Sequence, residues 1–424
     1  MRFRERFLPQ LKKFDGFLIR PDNARRVVTP AYDGMSPMQR REFAGRNPGN
    51  YVNVMRTLEE YDDDCKPTLD EILQHNQSHL DQLLGDGVFV KTKSPAFYLY
   101  RLRCGVREQT GVIADMPVSD YVDGRLKKHE DTQLEKENML TQYHEAVGAM
   151  SSPICVAYPD RGGIDDAVER AKLADPYLSF AAWDEVEQTV WRVDNPQIDQ
   201  ALIEEFADIE TTYLTDGHHR CASSARFSTM VSGRSASGGE SPNSGHLLVA
   251  LFPQSQLRIY SYFRCVRDLN GLDVDELIEA IADAGFKIEA KDINEHDSLL
   301  PDAGGKITMI VDDKAYALAI PDALIPVDDP TGALDVSILQ NELLAPILNI
   351  QDARADDRLS YMPGTEGISG LIERCKTLWR VGFACVDTKI EEVIQVADAK
   401  QTMPPKSTWF DPKLRAGIFL RTCR

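Results

Sequence analysis

Apolar residues at helical spacing mark the first secure element of the chain. Leu69, Ile72, Leu73, Leu80, Leu83 and Leu84 share one face between a Thr68/Glu71 capping box and Gly85, which predicts a helix up to that glycine. Ala96 to Leu102, rich in aromatics, and Thr110 to Asp115 then alternate as strands joined by a short polar connection. Thr132-Gln-Leu-Glu135 reads as a second capping box, opening a helix that runs towards Gly148. Pro153 to Tyr158 is a further strand, followed by a helical stretch from Ile164 to Ala174. Gln188 to Val193 and His246 to Phe252 read as strands too. Ser232 to Gly245 is a glycine- and serine-rich insert, predicted to be a flexible loop that interrupts a domain.

The texture changes near residue 266. Asp273 to Gly285 predicts a helix ending at a C-cap glycine, with Phe286 to Glu289 after it. Lys306 to Val311 and Ala315 to Ile320 read as strands around an Asp312-Asp313 turn, and Val336 to Leu348 reads as one helix. These elements predict an α+β (mixed α/β) fold: a main domain over 1–265, a smaller α+β module over 266–400, and a C-terminal segment, 401–424, returning to the main domain.

Charge and composition then narrow the function. The chain has 424 residues, with 48 Lys and Arg against 67 Asp and Glu, a formal charge of −19. That balance argues against a protein whose main partner is nucleic acid, since neutralising phosphates takes a cationic surplus. No apolar run approaches the ~20 residues of a membrane helix, and the basic N-terminus lacks the apolar stretch of a secretory signal. The eight cysteines are scattered without a CxxC, as expected of reduced thiols in a cytoplasmic protein.

Four segments carry candidate chemistry. In the first, a short apolar strand runs into Asp216-Gly-His-His-Arg220, after which a helix of small residues begins near His219. Gly217 lets a ligand approach the backbone, the helix start offers free N–H groups, and Arg220 adds a planar donor fork for phosphate oxygens. The plain alternative is that Asp216 caps the helix and His218 and His219 make ordinary polar contacts. Zinc is disfavoured, because adjacent histidines point apart and no further ligand cluster follows.

The second segment, Gly124 to Glu137, gathers Arg125, Lys127, Lys128, His129 and several carboxylates ahead of a helix. His129 and Glu130 form a candidate acid/base pair with Arg125 and Lys128 as anion contacts; a solvated charged turn is the bland reading. In the third, Met403 to Lys413, two prolines stiffen a loop presenting Lys406, Ser407, Thr408 and Lys413 as an anion clamp, against the alternative of a turn anchored by Trp409 and Phe410. The fourth is Val27 to Gly34, with turn chemistry around Asp33. No Walker A, Rossmann glycine fingerprint, kinase signature or GxSxG occurs.

Taken in order, Val28-Thr-Pro-Ala-Tyr-Asp33, Arg125 with Lys128-His-Glu-Asp-Thr132, Asp216-Gly-His-His-Arg220 and Met403-Pro-Pro-Lys-Ser-Thr408 with Pro412-Lys413 resemble the bacterial and archaeal family called domain of unknown function 1015. The departures are Ala31 where a second proline is usual, Cys221 where an aromatic is usual, and the 232–245 insert. The Gly217-to-Arg220 turn is also similar to phosphate-holding turns of sulfiredoxin and ParB proteins, a scaffold on which kinases of free L-serine are known. The resemblance implies a ParB/sulfiredoxin-like nucleotide-binding core.

On this basis the expected activity is phosphoryl transfer from ATP or ADP, with Mg²⁺, to a small hydroxyl-bearing metabolite, L-serine above others. Asp216, Gly217, His218, His219 and Arg220 would cradle phosphates, and Glu130 would act as base with His129 orienting it. Lys406, Ser407, Thr408 and Lys413 would close over the anion, and Tyr32 and Asp33 would contact substrate. The metal ligand is open among Asp33, Asp216 and Glu130. The competing class is a ParB-like, nucleotide-gated binding protein without kinase activity.

Overall fold

The computed structural model describes residues 11–234 and 244–422. The basic N-terminus, Cys423 and most of the predicted insert, 235–243, lie outside the described residues. The chain divides into two compact units. The first comprises Met1–Lys128, Thr132–Leu257 and Pro412–Arg424; the second comprises His129–Asp131 and Arg258–Asp411. Both mix helices with sheet, so the fold class is α+β.

An eight-stranded mixed sheet organises the first unit, in the order Leu126–Lys127, Thr212–Asp216, Ile154–Tyr158, His246–Pro253, Arg107–Pro117, Tyr98–Cys104, Glu187–Arg192 and Leu178–Ala181. Its central strands are buried on both faces, and strand alternation sorts their side chains into two cores. Tyr98, Tyr100, Ile113, Leu248 and Ala250 enter one; Leu99, Val112, Ala114, Leu247 and Val249 enter the other. Gly111 is dictated by packing, because a Cβ there would stand 2.7 Å from the Phe252 ring. The helix Leu69–Gly85 forms with both bonds of its Thr68/Glu71 capping box. Helices Leu134–Val147 and His218–Arg234 pack on each other. Of the expected C-terminal segment, only the part from Pro412 belongs to this unit, with its strand Phe419–Thr422 between Phe17–Ile19 and Ala149–Met150 in a second, four-stranded sheet, whereas 401–411 falls in the second unit.

The second capping box does not form. Gln133 is the N-cap of Leu134–Val147, and the Thr132 hydroxyl donates to Glu137 rather than engaging Glu135.

The second unit is built on a six-stranded antiparallel sheet: Lys287–Lys291, Lys314–Ala319, Lys306–Val311, Val381–Cys385, Tyr262–Val266 and Leu359–Pro363. The helix Val274–Asp283 starts at an Asp273/Glu276 capping box. Helix Gly367–Thr377 lies on the sheet, its Leu371 so near that a Cβ on Gly382 would meet it at 2.6 Å. A short ribbon pairs Arg258–Tyr260 with Trp409–Asp411. The expected helix over 336–348 is instead an α-turn, Asp335–Ile338, running into a π-helical stretch, Leu339–Leu344. Uniform apolar spacing does not distinguish these hydrogen-bonding patterns.

Candidate functional site

The Asp216-to-Arg220 turn lies at the end of a central strand in the first unit. Thr212–Asp216 pairs antiparallel with Ile154–Tyr158, and the register slips between Leu214 and Asp216, so the strand leaves the ladder irregularly just before the turn. Gly217 follows at φ +97°, a left-handed conformation that a Cβ would strain; that Cβ would also stand 3.0 Å from the Arg220 guanidinium. The 17-residue helix His218–Arg234 then begins, with the Cys221 N–H donating to Gly217 O at 2.9 Å.

The charges of this turn are joined to each other. Asp216 Oδ2 accepts from Arg220 at 2.8 Å, and Oδ1 accepts from Lys413 Nζ at 2.8 Å, across 197 residues of chain. Burial alone would raise the Asp216 carboxyl, but Lys413 and Arg220 outweigh it and hold it well below the usual carboxylate range. Asp216 is therefore a fixed anion, unsuited to proton transfer near neutral pH. The same Arg220 donates to Ser152 O at 3.0 Å, Pro153 O at 2.8 Å and the Ser152 hydroxyl. Two cations face one carboxylate, so the turn keeps a net positive charge. A divalent cation does not fit at Asp216, since it would stand beside both positive groups.

His219 Nε2 accepts from Gln133 N at 3.1 Å and so completes the N-terminus of the helix Leu134–Val147. As an acceptor, that nitrogen carries no proton, which places the proton on Nδ1. His218 is buried. The expected cap at Asp216 gives way to this ion cluster, and the doubled histidine divides into one buried ring and one that holds a neighbouring helix.

The C-terminal segment gathers further motif residues in the same unit. Thr29 and Ala416 exchange hydrogen bonds: Thr29 N to Ala416 O at 3.0 Å, and Ala416 N to the Thr29 hydroxyl at 3.2 Å. Gly417, at φ +94°, brings its backbone against Val28 and Tyr51. Thus Val28 and Thr29 on one side and Asp216 on the other meet the same short segment, Lys413 to Gly417. Tyr32 and Asp33 fall in the 3₁₀ turn Tyr32–Gly34. Ser151 was not singled out by sequence, yet its hydroxyl accepts from Gly417 N at 2.7 Å and donates to Phe419 O at 2.5 Å. The Ser151-Ser152 pair before a buried strand was the available signal.

Arg125 stands apart from the turn. Its carbonyl accepts from Thr212 N, at the far end of the strand that ends in Asp216, about 13 Å away along the strand. Its guanidinium is held by buried Asp120, from Nε at 3.0 Å. Lys128 is exposed.

The remaining predicted residues belong to the second unit, where two of the motifs meet. His129 Nε2 lies 3.3 Å from the Thr408 hydroxyl, and His129 O accepts from Met403 N at 2.8 Å. Asp131 accepts from the Thr402 hydroxyl at 3.0 Å. Ser407 is buried and donates to Pro404 O at 2.7 Å, which ties the proline loop to itself. Lys406 adopts φ +55°, with its Nζ 5.2 Å from the Tyr262 ring centroid. Glu130, half-buried, sits between His129 and Asp131. Sequence reasoning missed Arg264, buried mid-strand in Tyr262–Val266, with NH1 2.9 Å from Tyr262 O and NH2 3.4 Å from Lys406 O. A charged residue inside a run of apolar ones was the signal.

Among the described residues, no helix is long and apolar enough to cross a membrane. No curated protein matches the sequence. Among solved structures, the chain is similar to a free serine kinase variant in complex with AMP, at 10% identity and a TM-score of 0.38, covering 72% of this chain and 91% of that one. It is similar to a conserved hypothetical protein from Pyrococcus furiosus at 12% identity and a TM-score of 0.35, covering 73% and 95%. A C-terminally truncated SbnI from Staphylococcus aureus gives 12% identity and 0.37, covering 71% and 84%. The family described as "Protein of unknown function (DUF1015)" matches residues 11–337, as the motif order leads one to expect, and the chain belongs to it.

Proposed function

We propose that the protein is a small-molecule kinase that moves a phosphoryl group from ATP or ADP to a hydroxyl, with free L-serine as the acceptor. The observation that carries this reading is the strand–glycine–helix turn at Asp216–Arg220, where one ionised carboxylate is shared by two cations at a helix N-terminus. Such a turn suits phosphate oxygens, through backbone N–H groups and a net positive charge. Asp216 organises the two cations; the phosphates lie against Gly217, His218 and the helix start. Phosphoryl transfer asks the protein chiefly for positioning and charge neutralisation, and both are within reach of this turn. Glu130 is the proposed base, with His129 beside it, and Lys406, Thr408 and Lys413 are further anion contacts. The Asp-Gly-His-His-Arg motif, with its likeness to turns of the ParB/sulfiredoxin scaffold, supports the choice of nucleotide, and a cytoplasmic setting suits a metabolite kinase.

The test is to incubate the purified chain with ATP or ADP and a pool of hydroxyl metabolites, then identify phosphorylated products by mass spectrometry. O-phospho-L-serine is the expected product. Nucleotide binding without any phosphorylated acceptor, together with salt-sensitive retention of DNA, would replace this reading by a ParB-like binding protein. An E130Q chain that keeps full turnover would remove Glu130 from its role.

A further inference from the structure

Four Lys or Arg side chains are buried among the described residues: Lys413, Arg415, Arg421 and Arg264. The first three each have a carboxylate partner, Asp216, Asp184 and Asp115 respectively. Arg264 has none. Its partners are two carbonyl oxygens, Tyr262 O and the more distant Lys406 O, and the face of Tyr361, whose ring centroid lies 5.6 Å from the guanidinium carbon. The cross-strand register sets Arg264 directly opposite Tyr361. Burial makes the charged form of Arg264 harder to hold, and no carboxylate counters that. An arginine stays charged in a protein, so a buried guanidinium served only by carbonyls leaves a positive charge to be answered by an anion.

The loop that Arg264 supports has features of an anion site in its own right. Lys406 is non-glycine at φ +55°, a conformation that costs energy and persists where the surroundings impose it. Its carbonyl is aimed at Arg264 while its ammonium lies over Tyr262. Thr408 offers a half-buried hydroxyl next to His129. Ser407, spent on Pro404 O, holds the loop rather than a ligand.

We propose that the Met403–Thr408 loop and Arg264, all within the second unit, form a binding site for a phosphate-type oxyanion. Lys406 and Thr408 contact the anion. Arg264 is a positioning residue: it fixes the Lys406 carbonyl and supplies positive charge beneath the loop. Lys406 and Thr408 are already anion contacts in the kinase reading; what is added is Arg264 beneath them and a site that holds its anion whether or not a phosphoryl group is transferred.

Hydrogen exchange on the full chain, read by mass spectrometry peptide by peptide, tests this. Inorganic phosphate should protect peptides spanning residues 402–411, relative to chloride at matched ionic strength. R264M should weaken that protection about tenfold in phosphate concentration, because the loop loses the donor on the Lys406 carbonyl and the positive charge beneath it, and R264K should restore it in part. AMP in a parallel arm separates sources: tighter protection by AMP assigns the site to a nucleotide phosphate, and tighter protection by inorganic phosphate assigns it to the free ion. Absence of protection in the wild-type chain overturns the proposal, as does equal protection in wild type and R264M. Should R264M not fold, the wild-type result and R264K decide. Protection at 402–411 in a chain that phosphorylates no alcohol keeps this inference while the kinase reading fails.

Discussion

Among the described residues of the first unit each buried Lys or Arg faces a carboxylate: Lys413 meets Asp216, Arg415 meets Asp184 and Arg421 meets Asp115. In the second unit, buried Arg264 faces carbonyl oxygens and a tyrosine ring. All three paired cations lie on the C-terminal segment, so there the pairs fasten a returning chain to the sheets. Arg264 holds two carbonyls of its own unit, Tyr262 O and Lys406 O, and its charge meets no carboxylate, which is why that charge points to a ligand. The pairs also differ among themselves. Asp216, with two cations, is held far below the ordinary carboxylate range, whereas burial pushes Asp115 up to about 6 despite Arg421 at 3.3 Å.

The strongest way to break this comparison is to remove a paired cation. K413M leaves the Asp216 carboxylate short of one partner and should cost about 3 kcal/mol in unfolding free energy, measured by chemical denaturation. A loss below about 1 kcal/mol would mean the pair is mere surface chemistry.

Asp115 gives the next largest effect, read against pH. Its folded pKa, near 6, lies above the ordinary value of about 4, so the folded state binds its proton more tightly. The resulting stability is complete below pH 4 and is lost as pH rises through 6. D115N lacks this term, so the stability of wild type relative to D115N should fall by about 2 kcal/mol across that window. A constant difference would show that Arg421 compensates Asp115 fully.

G217A should cost about 1–2 kcal/mol, because φ +97° disfavours a Cβ and that Cβ would press on the Arg220 guanidinium. If the mutant is as stable as wild type, the turn has an alternative conformation. R264M, without added anion, should change stability by less than about 1 kcal/mol, since relief from burying a charge without a carboxylate partner offsets the loss of two carbonyl hydrogen bonds. That near-neutral result beside the loss in K413M is the contrast between the two units in its simplest form.

Much of this was legible in the chain and some was not, for physical reasons. The helices at Leu69–Gly85 and Val274–Asp283 announce themselves through capping boxes, and both form as read because those bonds are local. The Thr132 box fails because a distant side chain, His219, serves the helix start instead. The Asp216 turn was visible as strand, glycine and helix. Its pairing with Lys413 was not, since 197 residues separate them and only the fold brings them together. Arg125 looked like an anion contact in a charged run, but strand register carries it to the far end and Asp120 takes its fork. Arg264 was readable as a charge inside Tyr262-Phe-Arg-Cys-Val266. Its want of a carboxylate becomes visible only once its neighbours are known.

The central contrast is tested most directly by the thermal unfolding midpoint of full-length wild type and R264M, followed against inorganic phosphate at constant ionic strength. A ligand that binds the folded state raises its midpoint with concentration. Wild type should rise further than R264M, the two curves separating as phosphate increases. Parallel curves would contradict the account, for they would show that Arg264 is as indifferent to anions as the paired cations of the first unit.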